Sequence, residues 1–65
     1  MSDMETIKAE VRKLSSQAVK AKMDLHDLAE DLPVNWEQTL AVAQRAHDAY
    51  RELESKRAEL RNAGA

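Results

Sequence analysis

The sequence contains no cysteine and no phenylalanine, and it has only one glycine, one proline, one tryptophan and one tyrosine among its 65 residues. Without cysteine, a disulfide framework and every thiolate metal site are excluded. No apolar run approaches the roughly 18–20 residues of a transmembrane helix, and the chain opens with acidic residues where a secretory signal would be basic. We therefore expect a cytoplasmic protein that does not enter a membrane.

The sequence also lacks the patterns on which catalysis usually depends. No serine stands three or four residues from a histidine along the helical stretches, and no glycine-rich loop is available to hold a phosphate. We therefore expect a protein without enzymatic activity.

The supply of large apolar side chains is small, because 11 of the apolar residues are alanine. A chain below roughly 70–80 residues gains little net stability from one core, and oligomerisation commonly makes up the difference. We therefore expect a homo-oligomer, either a dimer or a tetramer.

Helix-forming residues dominate, and the single strong helix breaker, Pro33, lies close to the midpoint of the chain. This composition predicts an all-α fold, a two-helix antiparallel hairpin that forms a single domain over the whole chain. The helices are expected at about 3–31 and 36–61, the turn at about 32–35, and a frayed tail at 62–65.

Residues at the expected helix ends match known capping patterns. Ser2 and Glu5 have the spacing of a capping box for the first helix, and Asn35 with Gln38 repeats that spacing for the second. Leu32 precedes proline, which disfavours helical backbone at that position and ends the first helix.

Apolar residues recur at alternating spacings of three and four in both halves of the chain, which is typical of helices that pack side by side. In the first helix this stripe comprises Met4, Ile7, Val11, Leu14, Ala18, Ala21, Leu25, Leu28 and Leu32. In the second helix the same spacing selects Trp36, Thr39, Ala43, Ala46, Tyr50, Leu53, Arg57 and Leu60, with Leu40 and His47 beside it. An antiparallel hairpin places Ala18 opposite Tyr50 and Leu32 opposite Trp36.

One hairpin leaves half of each stripe uncovered, and a second copy would cover it. We therefore expect an antiparallel four-helix bundle of two hairpins. Its oligomer core is predicted to include Leu14, Leu25, Leu28, Trp36, Tyr50 and Leu53.

Charge is strongly segregated along the chain, although the net charge is only −2. Residues 8–22 carry a net charge of +4, whereas residues 23–37 carry five carboxylates and no Lys or Arg. Asp27, Glu30 and Asp31, which we call the acidic tip, lie at the negative end of the first helix dipole, where each carboxylate destabilises the helix by about 0.3–1 kcal/mol. This local cost suggests that the acidic tip, together with Met23, docks a partner. The alternative is that the two antiparallel dipoles cancel at this end.

His26 and Glu30 are one helical turn apart on an outward face that also carries Val19 and Met23. An imidazole and a carboxylate at this spacing can share a divalent metal ion such as Fe, Ni or Zn. Two ligands are too few for a tight site, so Asp27 or a neighbouring chain would have to complete it. The alternative interpretation is an ordinary solvated surface histidine.

The segment from Ser15 to Trp36, with its run Leu-His-Asp-Leu-Ala-Glu-Asp-Leu-Pro, resembles the signature of the small Rop-like proteins of nitrogen-fixation gene clusters. The resemblance covers about a third of the chain at the level of the motif. It implies an oligomeric helical hairpin associated with nitrogenase or with a cluster-assembly protein, and it implies metal binding through His26.

The resemblance leaves two alternatives open. The plasmid protein Rop binds paired RNA loops, but a shared fold does not transfer that function. The negative net charge and the acidic tip argue against a phosphate-binding surface, which makes an RNA-binding regulator the weaker hypothesis. A purely structural bundle is the other alternative.

Overall fold

The computed structural model describes residues 3–64, which form two long antiparallel helices. Helix α1 spans Met4–Asp31 and helix α2 spans Thr39–Gly64. The hairpin measures 46 × 16 × 14 Å. The all-α antiparallel hairpin predicted from the sequence is confirmed. Neither helix, within the described residues, is long and apolar enough to cross a membrane.

Asp3, and not the predicted Ser2–Glu5 pair, caps the first helix. The Asp3 Oδ1 accepts a hydrogen bond of 2.8 Å from the Thr6 backbone N–H, and this bond lowers the pKa of the Asp3 carboxyl. Aspartate is as good an N-cap as serine, so two adjacent candidates competed for the position. Ser2 lies outside the described residues.

The turn occupies residues 32–35 and leads into one 3₁₀ turn at Trp36–Gln38. Leu32 has extended backbone (ψ 142°), as expected for a residue before proline. The prediction that Asn35 caps the second helix through its side chain is wrong. Asn35 adopts left-handed backbone (φ 59°), which asparagine tolerates better than most residues, and its side chain makes no capping hydrogen bond.

The far end of α2 also differs from the sequence prediction. The helix continues to Gly64 instead of fraying after about residue 61. A Cβ atom added to Gly64 would lie 3.4 Å from the Met4 methyl group, so the end of α2 lies beside the start of α1. This proximity supports helical structure in residues 62–64, whose sequence alone favours fraying.

The α1 stripe faces α2 as predicted, except for Met4 and Leu32 at its two ends, which are exposed. Ile7 and Ala18 are buried, and Ala18 is fully inaccessible. Because the Ala18 side chain is small, the helices can approach closely at mid-length. Further positions of this stripe are partly buried, namely Val11, Leu14, Ala21, Leu25 and Leu28.

In α2 three positions of the predicted stripe are displaced by one residue. Ala46 and Leu53 are buried as expected, and Thr39 and Leu60 are partly buried. Val42, Ala49 and Lys56, however, are more buried than the predicted Ala43, Tyr50 and Arg57. Rotating the helix in this way buries the branched Val42 side chain. Tyr50 therefore lies beside the seam and stays 41% exposed. Trp36 is also exposed, so a single hairpin provides neither the Ala18–Tyr50 nor the Leu32–Trp36 core layer.

Candidate docking surface and metal ligands at the turn end

The acidic tip lies on the last two turns of α1, and all three of its carboxylates are exposed. Over residues 3–64 its ion pairs are with His26, because no Lys or Arg occurs between Met23 and Gln44. The last turn of α1 contains no basic residue to offset the helix dipole. The turn end therefore carries concentrated negative charge that no Lys or Arg within residues 3–64 neutralises.

His26 lies between two of the acidic residues on the outward face of α1. Its Nε2 is 3.1 Å from the Glu30 Oε1, and its Nδ1 is 3.6 Å from the Asp27 Oδ1. The first contact is the one expected from the i,i+4 spacing. The structure thus brings together the two residues that the sequence marked as metal ligands.

The geometry does not make a complete metal site within one chain. Asp27 and Glu30 contact opposite nitrogens of one imidazole ring, so they cannot converge on a single ion together with that ring. In the described part of the chain no three His, Asp or Glu side chains form a group that could hold a metal. Even an open zinc site has three protein ligands, so the residues present in one hairpin do not fit a resident metal.

His47 is exposed and takes no part in the seam, contrary to the expectation that it flanks the core. Its Nδ1 lies 3.5 Å from the Asp48 Oδ1, and Gln44 donates to the same oxygen at 2.9 Å. The hydrogen bonds from Gln44 and His47 hold the pKa of Asp48 below its usual value. His47 is therefore a surface residue remote from the turn.

Exposed apolar side chains gather at the turn end, a feature not predicted from the sequence. Eight large apolar residues are substantially exposed within residues 3–64, and four of them, Leu32, Val34, Trp36 and Leu40, lie in the turn or directly after it. Val19 and Met23 are also exposed, and they lie further back along α1 on the outward face expected from the sequence. The signal available in the sequence was the string of apolar residues around Pro33, of which Leu32 and Trp36 belong to the predicted core stripes and Leu40 to a position beside one. The turn end is consequently both acidic and apolar.

The comparisons with known proteins agree with this architecture. Residues 2–65 match the protein family described as Rop-like. The chain belongs to the Rop-like family. A UPF0437 protein of Azorhizobium caulinodans is 54% identical over 61 residues, which is 94% of this chain and 88% of that protein.

A second relative supplies a genomic context. A UPF0437 protein of Frankia alni, described as lying in the nifX-nifW intergenic region, is 60% identical over 43 residues, covering 66% of this chain and 52% of that protein. A protein solved by NMR as a Northeast Structural Genomics Consortium target superposes with a TM-score of 0.82 at 46% identity, covering 97% of this chain and 94% of the other. The family and the hairpin fold of this Rop-like chain are therefore established, whereas the nifX-nifW context belongs to the Frankia relative.

Proposed function

We propose that the protein is a non-enzymatic accessory protein of nitrogen fixation. In this proposal it acts as a homo-oligomeric helical hairpin and docks on nitrogenase or on a cluster-assembly protein through the acidic tip and Met23. The observation that carries the proposal is the set of exposed carboxylates at Asp27, Glu30 and Asp31, which no Lys or Arg of the described residues neutralises. The gene context of the Frankia relative supports the assignment to nitrogen fixation.

Charge complementarity is the physical reason for placing the docking site at this end. Exposed charges of one sign steer an oppositely charged partner and set the orientation of the encounter. Carboxylates at the negative end of a helix dipole weaken the helix, and a cationic partner would remove that penalty. Met23 is half exposed beside them and offers a flexible apolar contact.

The proposal is tested by capture from nitrogen-fixing cells with the purified full chain as bait. The variant Asp27→Asn/Glu30→Gln/Asp31→Asn neutralises the acidic tip. The control Glu5→Gln/Glu52→Gln/Glu54→Gln makes the same charge change at exposed sites away from the turn. We expect the wild type and the control to retain a nitrogen-fixation protein, identified by mass spectrometry, and the tip variant to lose it. Equal capture by both variants would contradict docking through the tip, and capture of no nitrogen-fixation protein would contradict the role.

A second candidate function is divalent metal binding, and the 3.1 Å contact between the His26 Nε2 and the Glu30 Oε1 favours it. The two atoms are close enough to provide two ligands to one ion. Because a single hairpin provides only two ligands, the site would require further ligands from a second chain. In this hypothesis metal binding and assembly are coupled.

The alternatives raised by the sequence receive less support from the residues described. An RNA-binding hairpin needs a basic surface, whereas here the whole turn end is acidic. A purely structural bundle gives no reason for four exposed large apolar residues to gather near the turn.

A further inference from the structure

Three exposed apolar side chains border the turn on its α2 side. Val34, Trp36 and Leu40 are 60%, 62% and 84% exposed. Trp36 lies in the 3₁₀ turn that leads directly into α2, and Leu40 lies in the first turn of α2, so both side chains are near the turn. Asp31 and Glu37 are the exposed carboxylates nearest to these residues in the sequence. We call these five residues the turn-end surface.

A second copy of the hairpin does not account for the most exposed of these residues. Leu40 lies two residues before the buried Val42 and six before the buried Ala46. At 100° per residue these offsets place Leu40 about 160° and about 120° around α2 from the side chains that face α1. Two hairpins that form a four-helix bundle cover the flat sides next to the seam, and the outer edges of the helices stay in water. Leu40 lies on such an outer edge.

The charge around these apolar residues specifies the chemistry of an occupant. No Lys or Arg occurs between Met23 and Gln44, so Asp31 and Glu37 meet no cation from neighbouring sequence. The negative end of the α1 dipole points toward the same turn. An anionic phosphate or an anionic lipid surface would be repelled here, whereas Lys and Arg side chains would be attracted.

We propose that the turn-end surface binds a basic amphipathic helix of a partner protein. Apolar side chains of that helix, spaced three and four residues apart, pack on Trp36 and Leu40, and its flanking Lys or Arg side chains pair with Asp31 and Glu37. This inference rests on the proposed docking function and deepens it by naming the partner's chemistry and the apolar contacts.

The test uses three synthetic helical peptides of equal length and the isotope-labelled full chain, followed by NMR. The first peptide consists of Leu on one face and Lys on the other, the second replaces Leu by Ala, and the third replaces Lys by Glu. We expect the Lys–Leu peptide to shift the backbone amides of residues 31–41 in a saturable manner. Because burying one leucine is worth about 1.5–3 kcal/mol, the Lys–Ala peptide should bind at least about tenfold more weakly. The Glu–Leu peptide should show no saturation.

Two variants with matched controls locate the binding. Leu40→Gln should weaken binding of the Lys–Leu peptide about tenfold, whereas Met4→Gln, an exposed apolar residue at the opposite end, should leave it unchanged. Glu37→Gln should weaken binding at low salt, with the difference shrinking at high salt, whereas Glu54→Gln should not. Circular dichroism of each variant checks that the helices persist.

Several results would overturn the inference. If the Lys–Ala peptide bound as tightly as the Lys–Leu peptide, binding would depend on charge alone. If Leu40→Gln bound the Lys–Leu peptide as tightly as the wild type does, Leu40 would make no contact with it. Shifts confined to the open groove lined by Glu10, Lys13, Leu14, Gln17 and Glu52 would place the site elsewhere. A smaller mass of Leu40→Gln in light scattering, with unchanged peptide binding, would assign the surface to a second copy. Peptide binding without capture of nitrogen-fixation proteins refutes only the proposed function, and capture without peptide binding refutes only this inference.

Discussion

Lys56 of α2 reaches across the helix–helix seam to Glu10 of α1, with its Nζ 2.8 Å from the Glu10 Oε2. The same ammonium group contacts the Glu59 Oε2 at 3.0 Å. The hydrogen bonds from Lys56 to Glu10 and then to Glu59 hold the pKa of Lys56 above its ordinary value. Because Lys56 and Glu10 belong to different helices, their ion pair favours the observed register of α2 along α1 over shifted registers.

The raised pKa of Lys56 predicts a pH dependence of stability. The stabilisation that charged Lys56 gives to the folded state is complete below the unfolded-state lysine pKa of about 10.4. It is lost as pH rises through the higher folded-state pKa. We expect the free energy of unfolding of the wild type, relative to that of Lys56→Met, to stay constant between neutral pH and about pH 9 and to decrease at more alkaline pH. Urea titrations at several pH values measure it. Lys20→Met, which removes an exposed i,i+4 pair with Asp24, is the control and should show a smaller change.

The packing of α2 predicts which leucine matters most for the hairpin. Leu53 is 3% exposed at the seam, so Leu53→Ala should cost about 2–5 kcal/mol of unfolding free energy. Leu40→Ala, at the exposed edge, should change stability by less than about 0.5 kcal/mol. Urea denaturation of both variants makes the comparison. Similar losses from the two substitutions would contradict the rotation of α2 described above.

The thin core predicts that the protein assembles. We expect light scattering to give at least twice the 7.3 kDa chain mass and the melting temperature to rise with protein concentration. Leu25→Ala, which removes a partly buried side chain, should then cost about 2–5 kcal/mol only if the assembly completes its burial. A monomer mass with a concentration-independent melt would rule out the expected four-helix bundle.

Reversing the charge of the acidic tip should move stability and docking in opposite directions. In Asp27→Lys/Glu30→Lys/Asp31→Lys the new cations lie at the negative end of the α1 dipole, so the melting temperature should rise slightly. Capture of the nitrogen-fixation partner should fall at the same time. Thermal melts followed by circular dichroism, paired with the capture assay, measure both effects. A destabilised triple variant would show that these carboxylates serve the fold.

The metal hypothesis makes a prediction about His26 that does not depend on capture. If His26 and Glu30 supply half of a site completed by another chain, calorimetry should give fewer than one Fe(II), Ni(II) or Zn(II) ion per chain. The affinity should fall as pH is lowered, because protons compete for the imidazole nitrogen. His26→Ala should abolish the binding without unfolding the hairpin, whereas His47→Ala, also exposed, should not affect it. If tag-free His26→Ala gave the same heats of metal binding as the wild type, His26 would not be a metal ligand.

Local sequence was sufficient for the features that depend on near neighbours. The spacing of His26 and Glu30 predicted their contact because residues four apart share a helix face. Leu32 before Pro33 predicted the end of α1 because that clash is between adjacent residues. The concentration of carboxylates near the turn follows from the order of residues alone. The cap was predicted less well, because Ser2 and Asp3 are both suitable and the choice depends on backbone geometry.

The rotation of α2 was decided only when α1 was packed against it. Two stripes one residue apart, one through Tyr50 and one through Ala49, have acceptable spacing in the sequence, and they differ by about 100° around the helix. Contact with α1 selects the stripe that buries Val42 and brings Lys56 to Glu10, a residue 46 positions away in the chain. The same rotation leaves Tyr50 and Leu40 exposed. The sequence by itself determined two helices, their turn and an acidic end, whereas the tertiary structure determined which apolar side chains remain available there, because burial depends on a partner helix that local periodicity does not contain.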